Sequence, residues 1–127
     1  MENGLTFFFD SYALIEIYEK NPKYEKYTKV NVMTSYLQVY EVYYILIKNG
    51  YAKEEIQDFF NFLQTLCVDL DFDWIPKSVE FRKEHKKRYL SYTDCLGYVI
   101  AKESKIKFLT GDKEFEDLSN VEFVKSD

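Results

Sequence analysis

The chain has 127 residues, of which 46% are hydrophobic and 19% aromatic. A chain this long suits one domain that buries roughly two-thirds of the surface it exposes when unfolded, which excludes intrinsic disorder. Its net charge of −5 argues against broad electrostatic attraction to nucleic acid, leaving that task to a local basic patch or to bound cations. No apolar run approaches the ~18 residues needed to span a bilayer.

The N-terminal MENGLTFFF has no basic n-region, so a soluble, cytoplasmic protein without membrane contact is expected. The apolar run at 5–9, LTFFF, ends at Asp10, as expected for a strand buried on both faces of a parallel sheet. Asp10-Ser11 predicts a strand-to-helix turn. Leu14, Ile17 and Tyr18 at helical spacing then give a short helix that stops before Asn21-Pro22. Val30 to Met33 predicts a short strand, after which Thr34 or Ser35 caps a helix over YLQVYEVYYILIK that closes at Asn49-Gly50.

AKEEIQDFFNFLQTL reads as an amphipathic helix with Ile56, Phe59, Phe60, Leu63 and Leu66 on one face and acids in its first turn. A short strand is expected around Cys67 to Leu70. Pro76 then opens a polar helix, KSVEFRKEHKKR, and Ser91 begins another, YTDCLGYVIAKES. Ile106 to Leu109 and Val121 to Val124 supply the last two strands. Strands alternating with helices predict an α/β fold: residues 1–127 as one domain, with a mainly parallel sheet covered by helices on both faces. The first strand then lies beside the KFLT strand, and their C-terminal ends line one crevice, where ligands bind in such sheets.

That arrangement brings Asp10 and Asp112 to the same sheet edge. Each, taken alone, also reads as an ordinary turn residue. Glu41 has Leu37 and Ile45 four residues to either side and Tyr44 three residues on, which places its carboxylate on the apolar face of its helix. There it must be protonated, salt-bridged or metal-bound. Asp94 completes a capping box with Ser91, a structural task that leaves it free to serve as a ligand at the crevice rim. Four carboxylates together repel by on the order of 3 kcal/mol per pair at ~5 Å and an effective dielectric near 20. No lysine or arginine lies within the motifs at Asp10, Glu41 or Asp94, and no histidine favours zinc. An all-oxygen site of this kind selects Mg²⁺ or Mn²⁺.

The segments FFFDSYAL, LQVYEVYYIL, LSYTDCLGYVIAKES and FLTGDKEF, in that order, resemble the PIN-domain ribonucleases and, in size and layout, the VapC-like toxins of toxin-antitoxin pairs. The resemblance implies a PIN-like three-layer α/β/α fold with a four- to five-stranded sheet. It implies a metal-dependent endoribonuclease in which Asp10, Glu41, Asp94 and Asp112 are catalytic and hold one or two Mg²⁺ or Mn²⁺ ions, with Ser11 and Thr110 as supporting hydroxyls. The expected reaction cuts a phosphodiester of single-stranded or looped RNA to a 5′-phosphate and a 3′-hydroxyl. The expected partners are the RNA substrate and a small antitoxin whose tail covers the acidic groove. The sequence departs from a typical toxin in its few glycines, its many tyrosines and Cys95 where a small aliphatic residue is usual.

Arg82, Lys83, Lys86, Lys87 and Arg88 cluster just before Asp94, and Lys113 flanks Asp112; they read either as a guide for an RNA backbone or as a solvated face. The 12 tyrosines and 11 phenylalanines exceed what one small core absorbs, which points to a homodimer or a partner groove, and any that are exposed could stack bases. Cys67 and Cys95 read as small buried thiols. A PIN-fold RNA-processing nuclease outside any toxin pair, a non-catalytic PIN-like interaction module and a phosphate-accepting receiver domain are the alternatives. The receiver requires an acidic pair at the first strand, where FFFDS supplies one acid.

Overall fold

Strand β1 (Thr6–Phe9) sends Phe7 and Phe9 to one side of the sheet and Phe8 to the other, and all three are buried. A strand with apolar residues on both faces must lie inside a sheet covered on both sides, and the computed structural model of the chain, which describes residues 4–127, places it there. The first three residues of the MENGLTFFF segment lie outside the described residues. Strand β2 (Asn31–Met33), β3 (Lys107–Thr110) and β4 (Val121–Phe123) complete a four-stranded, wholly parallel sheet in the order β2-β1-β3-β4. Phe8 is opposite Phe108 and Phe9 opposite Leu109, so β1 and β3 run side by side to a common C-terminal edge, as the sequence predicts.

Helices cover both faces. On the side of Phe7, Phe9 and Leu109 lie α1 (Ser11–Tyr18), α2 (Tyr36–Lys48) and α3 (Lys53–Gln64), packed through Leu14, Val42, Leu46, Ile56 and Leu63. On the side of Phe8 and Phe108 lie α4 (Trp74–Glu84) and α5 (Tyr92–Glu103), packed through Cys95, Ile100 and Phe115. The result is the expected three-layer α/β/α arrangement. No helix among the described residues is long and apolar enough to cross a membrane.

Several local expectations are corrected. The segment Cys67 to Leu70 is not a strand: only Cys67 bridges to Thr34, because Asp69 and Leu70 turn outward to solvent and Thr34 already leads into α2. Helix α4 begins at Trp74 rather than at Pro76, which sits in the first turn, where a backbone N–H has no intrahelical acceptor in any case. The same helix ends at Glu84, so Lys86, Lys87 and Arg88 lie in a turn. A 3-10 helix at Pro22–Lys29, absent from the sequence reading, buries Tyr24 and Tyr27. Ser35 stands at the N-cap of α2 but directs its hydroxyl to the side chain of Gln38 instead of the helix backbone. Cys95 is buried and Cys67 half-buried, both as free thiols.

Gly97 sets how closely α5 approaches the sheet. A Cβ there would lie 2.6 Å from Gln38 Nε2, 3.0 Å from Phe8 and 3.1 Å from Phe108. Gln38 Nε2 in turn donates to the Thr93 carbonyl at 2.9 Å, tying α2 to the first turn of α5. We therefore expect Gly97→Val to lower stability by about 1–3 kcal/mol through overpacking against two aromatic rings and a buried amide. Urea unfolding checks this, with the midpoint falling while the slope with denaturant stays unchanged.

Candidate active site at the carboxyl ends of the central strands

Asp10 ends β1 and caps α1. Its backbone N–H donates to the Leu109 carbonyl at 3.2 Å, and its Oδ1 accepts from the Ala13 N–H at 2.8 Å. Oδ2 accepts from the Thr110 hydroxyl at 2.5 Å, and the whole residue is only 4% exposed. The same Thr110 oxygen accepts from the Asp112 N–H at 3.0 Å. One hydroxyl thus fixes two acidic residues that are far apart in sequence. Asp112 is half-buried and caps a short 3-10 turn, Lys113–Phe115, by accepting from the Glu114 N–H at 3.0 Å.

Between Thr110 and Asp112 the chain has no room for a side chain. A Cβ at Gly111 would fall inside the Tyr12 ring and 2.5 Å from the Val124 carbonyl. The Tyr12 hydroxyl accepts from the Ser126 N–H at 2.9 Å, and the Val124 N–H donates to the Thr110 carbonyl at 2.9 Å. The turn carrying Asp112 is therefore wedged between α1 and the segment following β4. Tyr12 has no mark in the sequence that would single it out, because its role arises only when residues 12, 111 and 124 meet.

Asp94 forms the expected capping box. Its Oδ2 accepts from the Ser91 N–H at 2.9 Å while its own N–H donates to Ser91 Oγ at 3.0 Å. It lies one turn before Gly97, so the close packing of α5 on the sheet carries it toward the ends of β1 and β3. Glu41 accepts from the Ser11 hydroxyl at 2.8 Å. Its setting differs from the sequence reading. The buried face of α2 is made by Gln38, Val39, Val42 and Leu46, whereas Tyr44 is exposed and Glu41 is half-buried on the flank facing α1. Apolar residues four positions away placed Glu41 one flank too deep, because Leu37 and Ile45 are themselves only partly covered.

The electrostatics follow from burial. Desolvation raises the Asp10 carboxyl to about 8; the bonds from Thr110 and Ala13 oppose the rise, and the charges of Asp94 and Asp112 add to it. Asp94 is raised to about 6, again by burial first, with the Ser91 bonds opposing and the charges of Glu41 and Asp112 adding. The four acids therefore feel one another, and the ion pairs among the described residues, Lys77–Glu103, Arg88–Asp117 and Lys107–Glu122, lie elsewhere. A hard divalent cation suits this donor set, which offers carboxylate and hydroxyl oxygens and neither histidine nor thiolate. As the side chains stand, no three histidine, cysteine or carboxylate groups among the described residues are close enough to enclose an ion. Binding one requires the carboxylates to draw together.

The basic residues divide. Arg88 is committed within the protein, bonding Asp117 at 2.8 and 3.1 Å and the Glu114 carbonyl at 2.6 Å. It is thus removed from any free basic face. Arg82 donates from Nε to the Leu90 carbonyl at 3.1 Å and lies over the Tyr92 ring. Lys83, Lys86, Lys87 and Lys113 are exposed.

A model of the PIN domain family matches residues 7–121. The fold is shared with one chain of a toxin-antitoxin complex from Klebsiella pneumoniae, at TM-score 0.74 and 20% identity over 91% of this chain and 95% of that one. It is shared with a protein of Pyrobaculum aerophilum at TM-score 0.69 and 16% identity, covering 95% and 92% of the two chains. The VapBC2 complex of Rickettsia felis, bound to a DNA fragment from its promoter, contributes a third similar chain at TM-score 0.67 and 15% identity, covering 97% and 100%. At these identities the likeness is one of fold. No curated protein matches the chain in sequence.

The raised carboxyls have a measurable consequence. A carboxyl whose folded pKa exceeds its unfolded value near 3.8 favours the protonated folded state, so stability is greatest below about pH 4 and falls as pH rises to the folded pKa. In chelator, we expect the wild-type protein to lose stability up to about pH 8 through Asp10, with Asp94 contributing only up to about 6. Asp10→Asn should flatten the curve above pH 6 and make the chain more stable than wild type at pH 8 by at least about 1 kcal/mol. Urea unfolding across the pH range reads both slopes.

Proposed function

Because the chain belongs to the PIN-domain family, we propose that it is a Mg²⁺- or Mn²⁺-dependent endoribonuclease and the toxin of a type II toxin-antitoxin pair. The observation that carries this reading is the set of mutually repelling carboxylates around the ends of β1 and β3, two of them held by hydroxyls and none of them in an ion pair among the described residues. In this reading Asp10, Asp94 and Asp112 hold the ion, and Glu41 either joins them or accepts a proton from the attacking water. When bound, the ion supplies Lewis acidity at the phosphodiester and lowers the pKa of water.

The remaining steps belong to the chain. Thr110 donates to Asp10 Oδ2 and leaves that oxygen a second lone pair for a ligand. Ser11 does the same for Glu41, keeping its carboxylate oriented as an acceptor at the crevice rim. The buried Asp10 must give up its proton before it can serve as a ligand, so cation binding and proton release are coupled. Water adds at phosphorus, the bond to the 3′-oxygen breaks, and the products carry a 5′-phosphate and a 3′-hydroxyl. Lys83, Lys86, Lys87 and Lys113 attract the RNA backbone as exposed cations.

The protein partners in this reading are a small antitoxin that covers the acidic groove and a second copy of the chain. Exposed Tyr36, Tyr40 and Tyr44 along α2 and Phe72, Ile75 and Val79 near α4 offer apolar surface for such contacts. One observation favours the alternative of a non-catalytic interaction module: no three carboxylates among the described residues are gathered tightly enough to enclose an ion as they stand. Mn²⁺ titration separates the two readings, because an interaction module binds no ion at this edge.

Asp112→Asn is expected to lower Mn²⁺-dependent cleavage of single-stranded RNA by at least about 100-fold, and Thr110→Val by about 10- to 100-fold. Full activity in Asp112→Asn would remove the nuclease reading.

A further inference from the structure

Arg82 and Tyr92 form a pair that the acidic site does not use. Tyr92 is the first residue of α5 and stands 71% exposed, two positions before Asp94 and immediately after the Ser91 cap. The Arg82 guanidinium lies 4.3 Å from the centre of its ring. Two restraints hold that guanidinium in place, the ring itself and the bond from Nε to the Leu90 carbonyl at 3.1 Å. Among the described residues Arg82 makes no ion pair, in contrast to Arg88 and Lys77, which are both paired with carboxylates. Its outer nitrogens therefore remain as donors for a phosphate.

Arg82 stacks on one face of Tyr92, and the ring is still mostly exposed, so the opposite face is open. An ordered aromatic face costs little conformational entropy to occupy, and base stacking on such a face is insensitive to base identity. In a duplex the bases are already stacked on each other, so the face selects unpaired ones. Exposed Lys86 and Lys87 stand in the turn that leads to the pair, supplying the charge a polyanion needs on a chain that is acidic overall.

We propose that the open face of Tyr92, with Arg82 behind it, is a subsite that stacks one unpaired nucleobase of an RNA strand beside the acidic edge while Arg82 engages the adjoining phosphate. This deepens the nuclease reading and rests on it. It assigns to this chain a means of choosing single strands over duplexes that does not depend on the carboxylates.

The test uses the full chain carrying Asp112→Asn, so that cutting is suppressed, and a fluorescein-labelled oligouridylate with a duplex RNA of equal length as the control. Tyr92→Leu should weaken oligouridylate binding about tenfold and leave duplex binding unchanged, while Tyr92→Trp retains the affinity of the parent. Arg82→Gln should weaken binding and reduce the slope of log affinity against log salt by about one, which Tyr92→Leu does not do. Equal affinity of Tyr92→Leu and the parent overturns the proposal, as does an equal loss on both RNAs. A change of oligomeric state in Tyr92→Leu also overturns it, by showing that the ring is covered by another copy. If neither the parent nor wild type binds RNA, the nuclease reading itself falls. If wild type binds and cuts RNA while Tyr92→Leu behaves like it, only the subsite falls.

Discussion

A carboxylate is buried where two parallel strands end, and the rest of the site is arranged around that constraint. Asp10 is almost without solvent, and its charged form is tolerated only through the Thr110 hydroxyl and the Ala13 N–H. Burial makes the charge unfavourable, and the neighbouring acids make it more so. Such a group weakens the free fold. The fold keeps this group at the open end of its sheet despite that cost, and the bonds from Thr110 and Ala13 offset only part of it.

Neutral, close-packed residues place the acids around this carboxylate. Thr110 links Asp10 to the Asp112 backbone, Tyr12 and Gly111 fix the turn that follows, and Gly97 lets α5 come near enough to bring Asp94 over the strand ends. Gln38 joins α2 to α5 by way of the Thr93 carbonyl, and Ser11 joins α1 to Glu41. Every acid is thereby tied to the frame through an uncharged partner. Among the described residues none of the four is engaged in a salt bridge.

The fold was largely legible in the sequence because its signals are local. LTFFF and KFLT place apolar residues on both faces of their strands, the amphipathic spacing of Ile56 to Leu63 is unambiguous, and Ser91 with Asp94 spells out a helix start. The pairing of β1 with β3 followed from chain order and from the way parallel sheets are wound. What failed depended on solvent exposure or distant contact. Glu41 was placed too deep because spacing tells which residues share a face but not which face is covered. Arg88 counted as a free cation because its partner Asp117 lies on another element. The role of Tyr12 could not be read at all, since the ring is identified only by what it touches.

The central hydrogen bond of the site, from Thr110 to Asp10, joins residues 100 positions apart. Pairing of that range is among the slowest events in the folding of a small domain, because a long loop must close before its contacts repay the lost entropy. During synthesis from the N-terminus, the first two strands and the first three helices emerge from the ribosome long before the partner of Asp10 exists. A nascent chain therefore has its leading acid exposed on an unfinished edge, with neither Thr110 nor Asp112 to complete the crevice. The acidic edge is therefore completed only once nearly all of these residues have been translated, because Thr110 and Asp112 come so late in the chain.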